Sequence, residues 1–177
     1  MISGGFVIGR PVRLFRVLML QTLKRKWLSF WNLPLFIKAW FLPVWLLLGM
    51  SKVLILTFEF RRIAPFFGRS AGVTSWLPLI TNNQASRALS IGRLIKLSAR
   101  YTPWDSNCFP QAIAARLLLG LYRIPYALYF GLMRETSTQK IKAHAWVSAG
   151  KVNVTGGNSF RQFTVVHCFI APDLQSD

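Results

Sequence analysis

The hydrophobic positions change their spacing along the chain, which predicts helices first and strands afterwards. Apolar residues recur at helical spacing in Ala85–Arg100, and a further helix is expected over Ala112–Tyr122. Beyond Pro125 the pattern becomes short β-type runs punctuated by turns, at Tyr126–Arg134, Ile141–Ala149, Lys151–Thr155 and Phe163–Ile170. The sequence therefore predicts an α+β fold, with a helical N-terminal half followed by one helix and an antiparallel sheet.

The most apolar segment, Ala39–Phe58, falls short of what a membrane-spanning helix requires. Pro43 lies near its start and Lys52 divides it, which interrupts the ~20 apolar residues that a span needs. A charge at the centre of a span also costs roughly 2.5–3.5 kcal/mol. We therefore expect a helix that is mostly buried or lies on a membrane surface, with a true membrane span as the alternative.

The chain is strongly basic, and its charge is uneven. Its 177 residues carry 22 Lys and Arg against 5 Asp and Glu, a net charge of +17, and residues 1–100 hold fifteen of the basic residues but a single acid, Glu59. We therefore distinguish a basic, aromatic-rich helical region, 1–100, which is a candidate membrane-surface or substrate-docking part, from a second region, 101–177. Such a charge attracts nucleic acid, anionic lipid or an acidic polypeptide. The basic residues alternate with Leu and Trp without forming a nucleic-acid motif, so no nucleic-acid partner is expected.

Two features bear on the cellular location. Met1–Lys26 lacks the continuous apolar stretch of a secretory signal. Cys108 and Cys168 lie sixty residues apart with no CxxC, so neither a disulfide framework nor a Cys-rich zinc site is indicated. We expect a cytoplasmic protein that is peripheral on the inner face of the membrane if the apolar helix lies there, and that uses no metal or cofactor.

The residues around Cys108 place it where a cysteine can act as a nucleophile. Asp105, Ser106 and Asn107 supply capping side chains, and Pro110 suits the first turn of the helix that follows. The N–H groups and the dipole of that first turn favour a thiolate at Cys108. The competing interpretation is that Cys108 is a small buried residue, which a cysteine more often is.

His144, in the predicted strand Ile141–Ala149, strengthens the interpretation of Cys108 as a nucleophile. A thiolate nucleophile needs an imidazole that takes up and returns a proton. A single histidine in a strand is more often structural, so the pair carries more weight than either residue alone. Cys168 follows His167 in an alternating strand, and their side chains should point to opposite faces, so we interpret both as packing residues.

A third residue is expected to orient the imidazole. If Gly150 forms a two-residue hairpin loop with the residue before it, His144 lies across from Thr155, whose hydroxyl can accept the ring N–H. Asn153 and Asn158 are the substitutes if the register differs. If none of the three contributes, the site is a Cys–His dyad in which a backbone carbonyl fixes the imidazole tautomer.

Four motifs follow one another in the second region: the helix that begins at Cys108, Phe130-Gly131, Lys142-Ala-His-Ala-Trp-Val147 and Val154-Thr-Gly-Gly157. Their order resembles the transglutaminase-like cysteine protease of lasso-peptide biosynthesis. The similarity covers roughly Trp104–Phe169, and a less specific similarity to the helical region before the catalytic part covers Leu46–Gly68.

This resemblance implies a transglutaminase- or papain-like core in which a Cys-bearing helix packs on an antiparallel sheet. It implies a peptidase that removes the leader from a ribosomally made precursor peptide before a separate lasso cyclase closes the isopeptide ring. Cys108 would be the nucleophile and His144 the general base, while Thr155 stands where many members carry an acid. No pattern suited to a winged-helix recognition domain precedes Trp27, so a separate leader-recognition protein is the expected partner.

Two other function classes fit the same residues. An acyl transferase would use the same Cys–His pair, with an amine in place of water as the group that intercepts the thioester. A non-enzymatic basic protein that binds membranes or peptides would explain the net charge of +17, with Cys108 and His144 serving only as packing residues.

Overall fold

The computed structural model describes residues 32–74, 76–135, 140–157 and 159–171. By its contacts the chain forms two compact units, Met1–Lys38 and Ala39–Asp177. The second unit holds the sheet together with most of the helical residues, including part of the region 1–100 of the sequence analysis. The segment Met1–Lys26, discussed above for its lack of a signal, and the candidate Asn158 lie outside the described residues.

The described residues contain four α-helices, the last of which carries Cys108. They are α1 (Leu35–Thr57), α2 (Phe60–Ile63), α3 (Asn82–Arg100) and α4 (Cys108–Leu121). A capping box fixes the start of α3, because the Thr81 hydroxyl accepts from the Gln84 N–H at 3.3 Å while the Gln84 side chain accepts from the Thr81 N–H at 2.9 Å. The residues of α3 that are buried recur at helical spacing, at Ala88, Ile91, Leu94, Ile95 and Ser98.

The apolar segment forms one continuous helix, α1, which passes through Pro43. It begins four residues before the predicted Ala39, and proline costs it one backbone hydrogen bond without ending it. Lys52 does not divide the helix, because its long side chain carries the amine to the Asp105 carbonyl, 3.1 Å away.

The sheet has five antiparallel strands, which confirms the predicted α+β class. In chain order they are β1 (Arg69–Gly72), β2 (Ala127–Arg134), β3 (Ile141–Ala149), β4 (Val152–Asn153) and β5 (Thr164–Ile170), and their spatial order is β1-β5-β2-β3-β4. The alternating pattern anticipated β2, β3 and β5 closely. The strand expected over Lys151–Thr155 is shortened to two residues, and β1 lies in a segment for which no strand was predicted.

The two faces of the sheet are covered by different parts of the chain. On one face, the helix face, Phe109 of α4 packs against Phe130 of β2, with ring centroids 5.4 Å apart. The opposite face, here the aromatic face, carries a separate buried cluster formed by Ala127, Tyr129, Trp146, Cys168 and Ile170. This alternation follows from the two-residue period of the strands and determines the face to which each candidate side chain projects.

Candidate active site

Cys108 is the first residue of α4, and its side chain is partly exposed. Asn107 occupies the N-cap position, but its side chain makes no capping hydrogen bond. The loop before the helix is held differently, because the Gln111 side chain donates to the Ser106 carbonyl at 2.7 Å and the hydroxyls of Thr102 and Ser106 lie 2.9 Å apart. Cys108 therefore begins a helix at an accessible position, without the side-chain cap that the sequence predicts.

His144 lies in β3, paired with Gly131 of β2, and its ring rests on the aromatic face. The ring stacks on Trp146, with centroids 5.8 Å apart, and lies 4.9 Å from the ring of Phe163. A side chain at Gly131 would interfere, since a Cβ there would lie 2.8 Å from both Phe163 and Trp146. The aromatic rings and the bare Gly131 therefore hold the imidazole in a defined place.

The imidazole tautomer follows from one hydrogen bond. His144 Nε2 lies 3.0 Å from the carbonyl oxygen of Gly156, and a carbonyl oxygen can only accept, so Nε2 carries the proton. In the neutral ring the lone pair is then on Nδ1, which is the nitrogen able to take up a proton. A backbone carbonyl thus does what the sequence analysis assigned first to a side chain.

The predicted hairpin register is wrong. Strand β3 pairs with β4 as Ser148↔Asn153 and Ala149↔Val152, so the loop residues are 150 and 151 and the register is shifted by two residues. The Thr155 hydroxyl is buried and accepts from the Val147 N–H at 3.2 Å. Among the described residues no hydrogen bond joins Thr155 to His144, and Thr155 as an orienting residue stays a prediction without support from the geometry.

Asn153, the first substitute for Thr155, lies too far from the imidazole to orient it. Asn153 pairs with Ser148, which is four residues along β3 from His144, or roughly 13 Å at the rise of an extended strand. This separation is too long for a hydrogen bond to the imidazole. The sequence analysis missed Gly156, although the Gly-Gly pair at 156–157 indicates a turn, and both glycines have positive φ.

Cys108 and His144 are linked through neighbouring residues of the sheet. Phe109, next to the cysteine, packs against Phe130, and Phe130 precedes Gly131, the partner of His144. The helix is on the helix face, whereas the imidazole is on the aromatic face. Within the described part of the chain no hydrogen bond joins the thiol to the imidazole.

The edge of β3 is not paired with any described strand beside His144. Strand β4 pairs only with the last two residues of β3. The Gly156 carbonyl lies beside the imidazole there. Catalytic hydrogen bonds in ligand-free enzymes are often long and shorten when substrate binds.

The second cysteine and histidine have surroundings that differ from those of Cys108 and His144. Cys168 is completely buried, and burial raises the pKa of its thiol from 9.0 to about 11, an effect that a hydrogen bond with the Trp76 backbone partly offsets. His167 Nε2 lies 3.0 Å from the Ser70 hydroxyl on the helix face. The two side chains point to opposite faces, as the alternation predicts, and no group of three or more His, Cys, Asp or Glu in the described residues could hold a metal ion.

Comparison with known proteins identifies the family. Residues 54–168, well over half of the chain, match the Transglutaminase-like superfamily, and this range includes Cys108, His144 and most of the sheet that carries the histidine. No curated protein and no solved structure matches the chain. The superfamily includes cysteine proteases, and its domain indicates cysteine peptidase or acyltransferase chemistry. The chain therefore belongs to the transglutaminase-like superfamily.

Proposed function

We propose that this protein is a cysteine peptidase that removes the leader from a ribosomally made lasso-peptide precursor, before a separate cyclase closes the ring. The observation that carries the proposal is the position of Cys108, a partly exposed cysteine that begins the helix packed on Phe130, which is next to the strand partner of His144. Membership of the transglutaminase-like superfamily supports a cysteine nucleophile. The resemblance of the motifs to lasso-peptide proteases supports the choice of substrate.

The reaction uses the two side chains in sequence. His144 Nδ1 takes the proton of the Cys108 thiol, and the sulfur attacks the carbonyl carbon of the scissile peptide bond. The carbon–nitrogen bond breaks, His144 returns its proton to the leaving amine, and a thioester joins the leader to Cys108. Water then hydrolyses the thioester, with His144 again taking a proton, which releases the leader carboxylate and restores the thiol.

The assay that tests the proposal is incubation of the purified protein with a lasso precursor and its separate recognition protein, followed by mass spectrometry. We expect two fragments whose masses sum to the precursor plus one water. A leader fragment carrying an added amine would instead assign the protein as an acyl transferase. An intact precursor, with no thioester trapped on Cys108, would contradict both enzymatic functions.

We further propose that α1 lies on the cytoplasmic surface of a membrane. It is the one described helix long and apolar enough to cross a bilayer, with mean hydropathy 1.9 over its most apolar window and 17% of that window buried. Its exposed side is a stripe at helical spacing, defined by Leu42, Leu46, Met50 and Val53, each more than half exposed.

Two side chains of α1 attach it to the loop that precedes Cys108. The Trp45 indole donates to the Tyr101 carbonyl at 3.0 Å, and the Lys52 amine donates to the Asp105 carbonyl at 3.1 Å. A helix that crossed the bilayer would carry these polar loop groups into hydrocarbon, where unsatisfied groups and charges are costly. The attachment therefore favours a helix in the plane of the surface, with the stripe directed to lipid.

Fractionation of lysed cells tests this orientation. We expect the protein to sediment with membranes and to be released at least partly by high salt or alkaline carbonate, because electrostatic attraction contributes to binding. The double variant Leu46→Glu/Met50→Glu should stay in the supernatant, whereas Leu121→Glu, at an exposed leucine of α4, should sediment as the parent does. Resistance to both salt and carbonate would instead indicate a true span.

A further inference from the structure

A groove on the aromatic face lies next to the candidate base. Its volume is about 500 Å³, within the range typical of ligand-binding clefts. The residues that shape it are the aromatic Tyr129, Trp146, Phe160 and Phe163, with Lys151 and Arg161 at the rim. Trp146 and Phe163 also pack against the His144 ring, whereas the other residues have no role in the chemistry of Cys108 described above.

The groove is continuous with the site through ring contacts. His144 lies 4.9 Å from Phe163 and 5.8 Å from Trp146, measured between ring centroids, and both aromatic residues line the groove. A group held in the groove would therefore be adjacent to the imidazole. A peptide whose scissile bond is within reach of His144 could place a neighbouring side chain in the groove.

The walls combine fixed and accessible aromatic surfaces. Trp146 and Tyr129 stack with centroids 5.4 Å apart, and both are more than nine-tenths buried. Phe160 lies 5.8 Å from Trp146 and, like Phe163, is only partly buried. A ligand with an apolar side chain would cover the remaining surface of these two phenylalanines, which is favourable because apolar area leaves water.

The charged residues at the rim of the groove are both basic. Lys151 and Arg161 are both exposed, and no acidic side chain lines the groove in the described part of the chain. Arginine binds carboxylates through two parallel hydrogen bonds, which adds geometric selectivity to the charge. The rim therefore favours a carboxylate close to the apolar group.

We propose that this groove is a substrate subsite that takes an aromatic or branched apolar side chain of the peptide, with a neighbouring acidic residue held by Arg161 and Lys151. The proposal rests on the proposed peptidase function and names the substrate feature that function would select. It assigns specificity to Phe160 and Arg161, two residues that do not touch the thiol or act on a proton.

Binding to the Cys108→Ala protein tests the subsite without requiring cleavage. The probe is a fluorescein-labelled nonapeptide of Gly and Ser with one Glu followed by one Phe, and fluorescence anisotropy gives its affinity. Replacing the Phe of the probe with Ala should weaken binding at least about tenfold, the usual discrimination of an apolar pocket. Replacing its Glu with Gln should weaken binding several-fold, with a larger loss at low salt.

Variants of the groove locate the binding. Phe160→Leu retains an apolar contact with Trp146 and should reduce the preference for Phe, whereas Arg161→Gln should remove only the preference for Glu. Phe66→Leu and Arg69→Gln change an exposed aromatic and an exposed basic residue that do not line the groove, and they should bind as the parent does. Thermal melting confirms that each variant is folded.

The outcomes separate the subsite from the peptidase function. Folded Phe160→Leu and Arg161→Gln proteins that bind every probe as the parent does would overturn the subsite, even if the parent protein cleaves a lasso precursor. Equal losses in the Phe66→Leu and Arg69→Gln controls would overturn it as well. Selective binding that follows the groove variants would support the subsite, even if no precursor is cleaved.

Discussion

Replacing Cys108 with Ala or Ser is expected to abolish precursor cleavage while leaving the fold intact. An alanine has no nucleophile, and a serine oxygen lacks the acidity and the nucleophilicity of sulfur. Loss of the nucleophile in a hydrolase lowers kcat by on the order of 10⁶-fold. Because Cys108 is partly exposed at the first residue of α4, neither substitution opens a cavity in the core. Mass spectrometry of the products and a thermal melt measure the two effects separately.

The matched control is Cys168→Ser, which should retain most of the activity when assayed below its melting temperature. Cys168 is buried in the cluster on the aromatic face. Its replacement with Ser lowers stability because it buries a hydroxyl, but it removes no reacting group. An active Cys108→Ala protein together with an inactive Cys168→Ser protein would reverse the assignment of the nucleophile.

Alkylation by iodoacetamide provides a chemical version of the same comparison. Burial raises the pKa of Cys168 to about 11 in the folded protein, so its thiol stays protonated and unreactive at neutral pH, and Cys108 should be the cysteine that reacts. In the unfolded chain the pKa of Cys168 would be near its ordinary value of 9.0. The stabilisation from the buried, neutral thiol is therefore fully present below pH 9 and is lost as the pH rises towards 11.

The parts of the fold that the sequence predicts well are those fixed by local patterns. The alternation of apolar residues locates β2, β3 and β5, and helical spacing locates α3 and the helix that Cys108 begins. The strand β1 escapes prediction because Arg69–Gly72 has no apolar alternation and becomes a strand only by pairing with β5. Lys52 does not interrupt α1 as the sequence pattern suggests, since its amine donates to a loop carbonyl fifty-three residues away.

The wrong hairpin register has a specific physical origin. Moving the hairpin loop by a single residue, from 149–150 to 150–151, shifts the pairing by two and leaves every side chain on its predicted face. The patterns that predict faces therefore cannot detect the change, although it moves Thr155 away from His144. The Thr155 hydroxyl then satisfies the Val147 N–H, and the Gly156 carbonyl reaches the imidazole instead.

His144→Ala should lower kcat by roughly 10²–10⁴-fold, the usual contribution of a general base, which is a smaller loss than that expected for Cys108→Ala. Thr155→Val should behave in the opposite way. It leaves the buried Val147 N–H without its hydroxyl acceptor, which costs about 1–3 kcal/mol of stability, but it does not remove the acceptor for the His144 ring. We therefore expect Thr155→Val to lower the melting temperature and to retain activity below it.

Gly156→Ala tests the carbonyl that replaces the predicted side chain. Gly156 has φ +91°, and a Cβ there would lie 2.3 Å from the Cβ of Trp146, so the backbone that presents its carbonyl to His144 has to move. Activity should fall because the ring loses the partner that keeps its proton on Nε2. Gly157→Ala is the matched control, since Gly157 also has positive φ but has no atom within 4 Å of its added Cβ.

The Thr155 and Gly156 variants together decide what orients the imidazole. If Thr155→Val loses activity at unchanged stability while Gly156→Ala retains it, Thr155 orients the imidazole, as the hairpin argument predicts. If Gly156→Ala loses activity while Thr155→Val retains it, the site is a Cys–His dyad in which a backbone carbonyl takes the place of the third side chain.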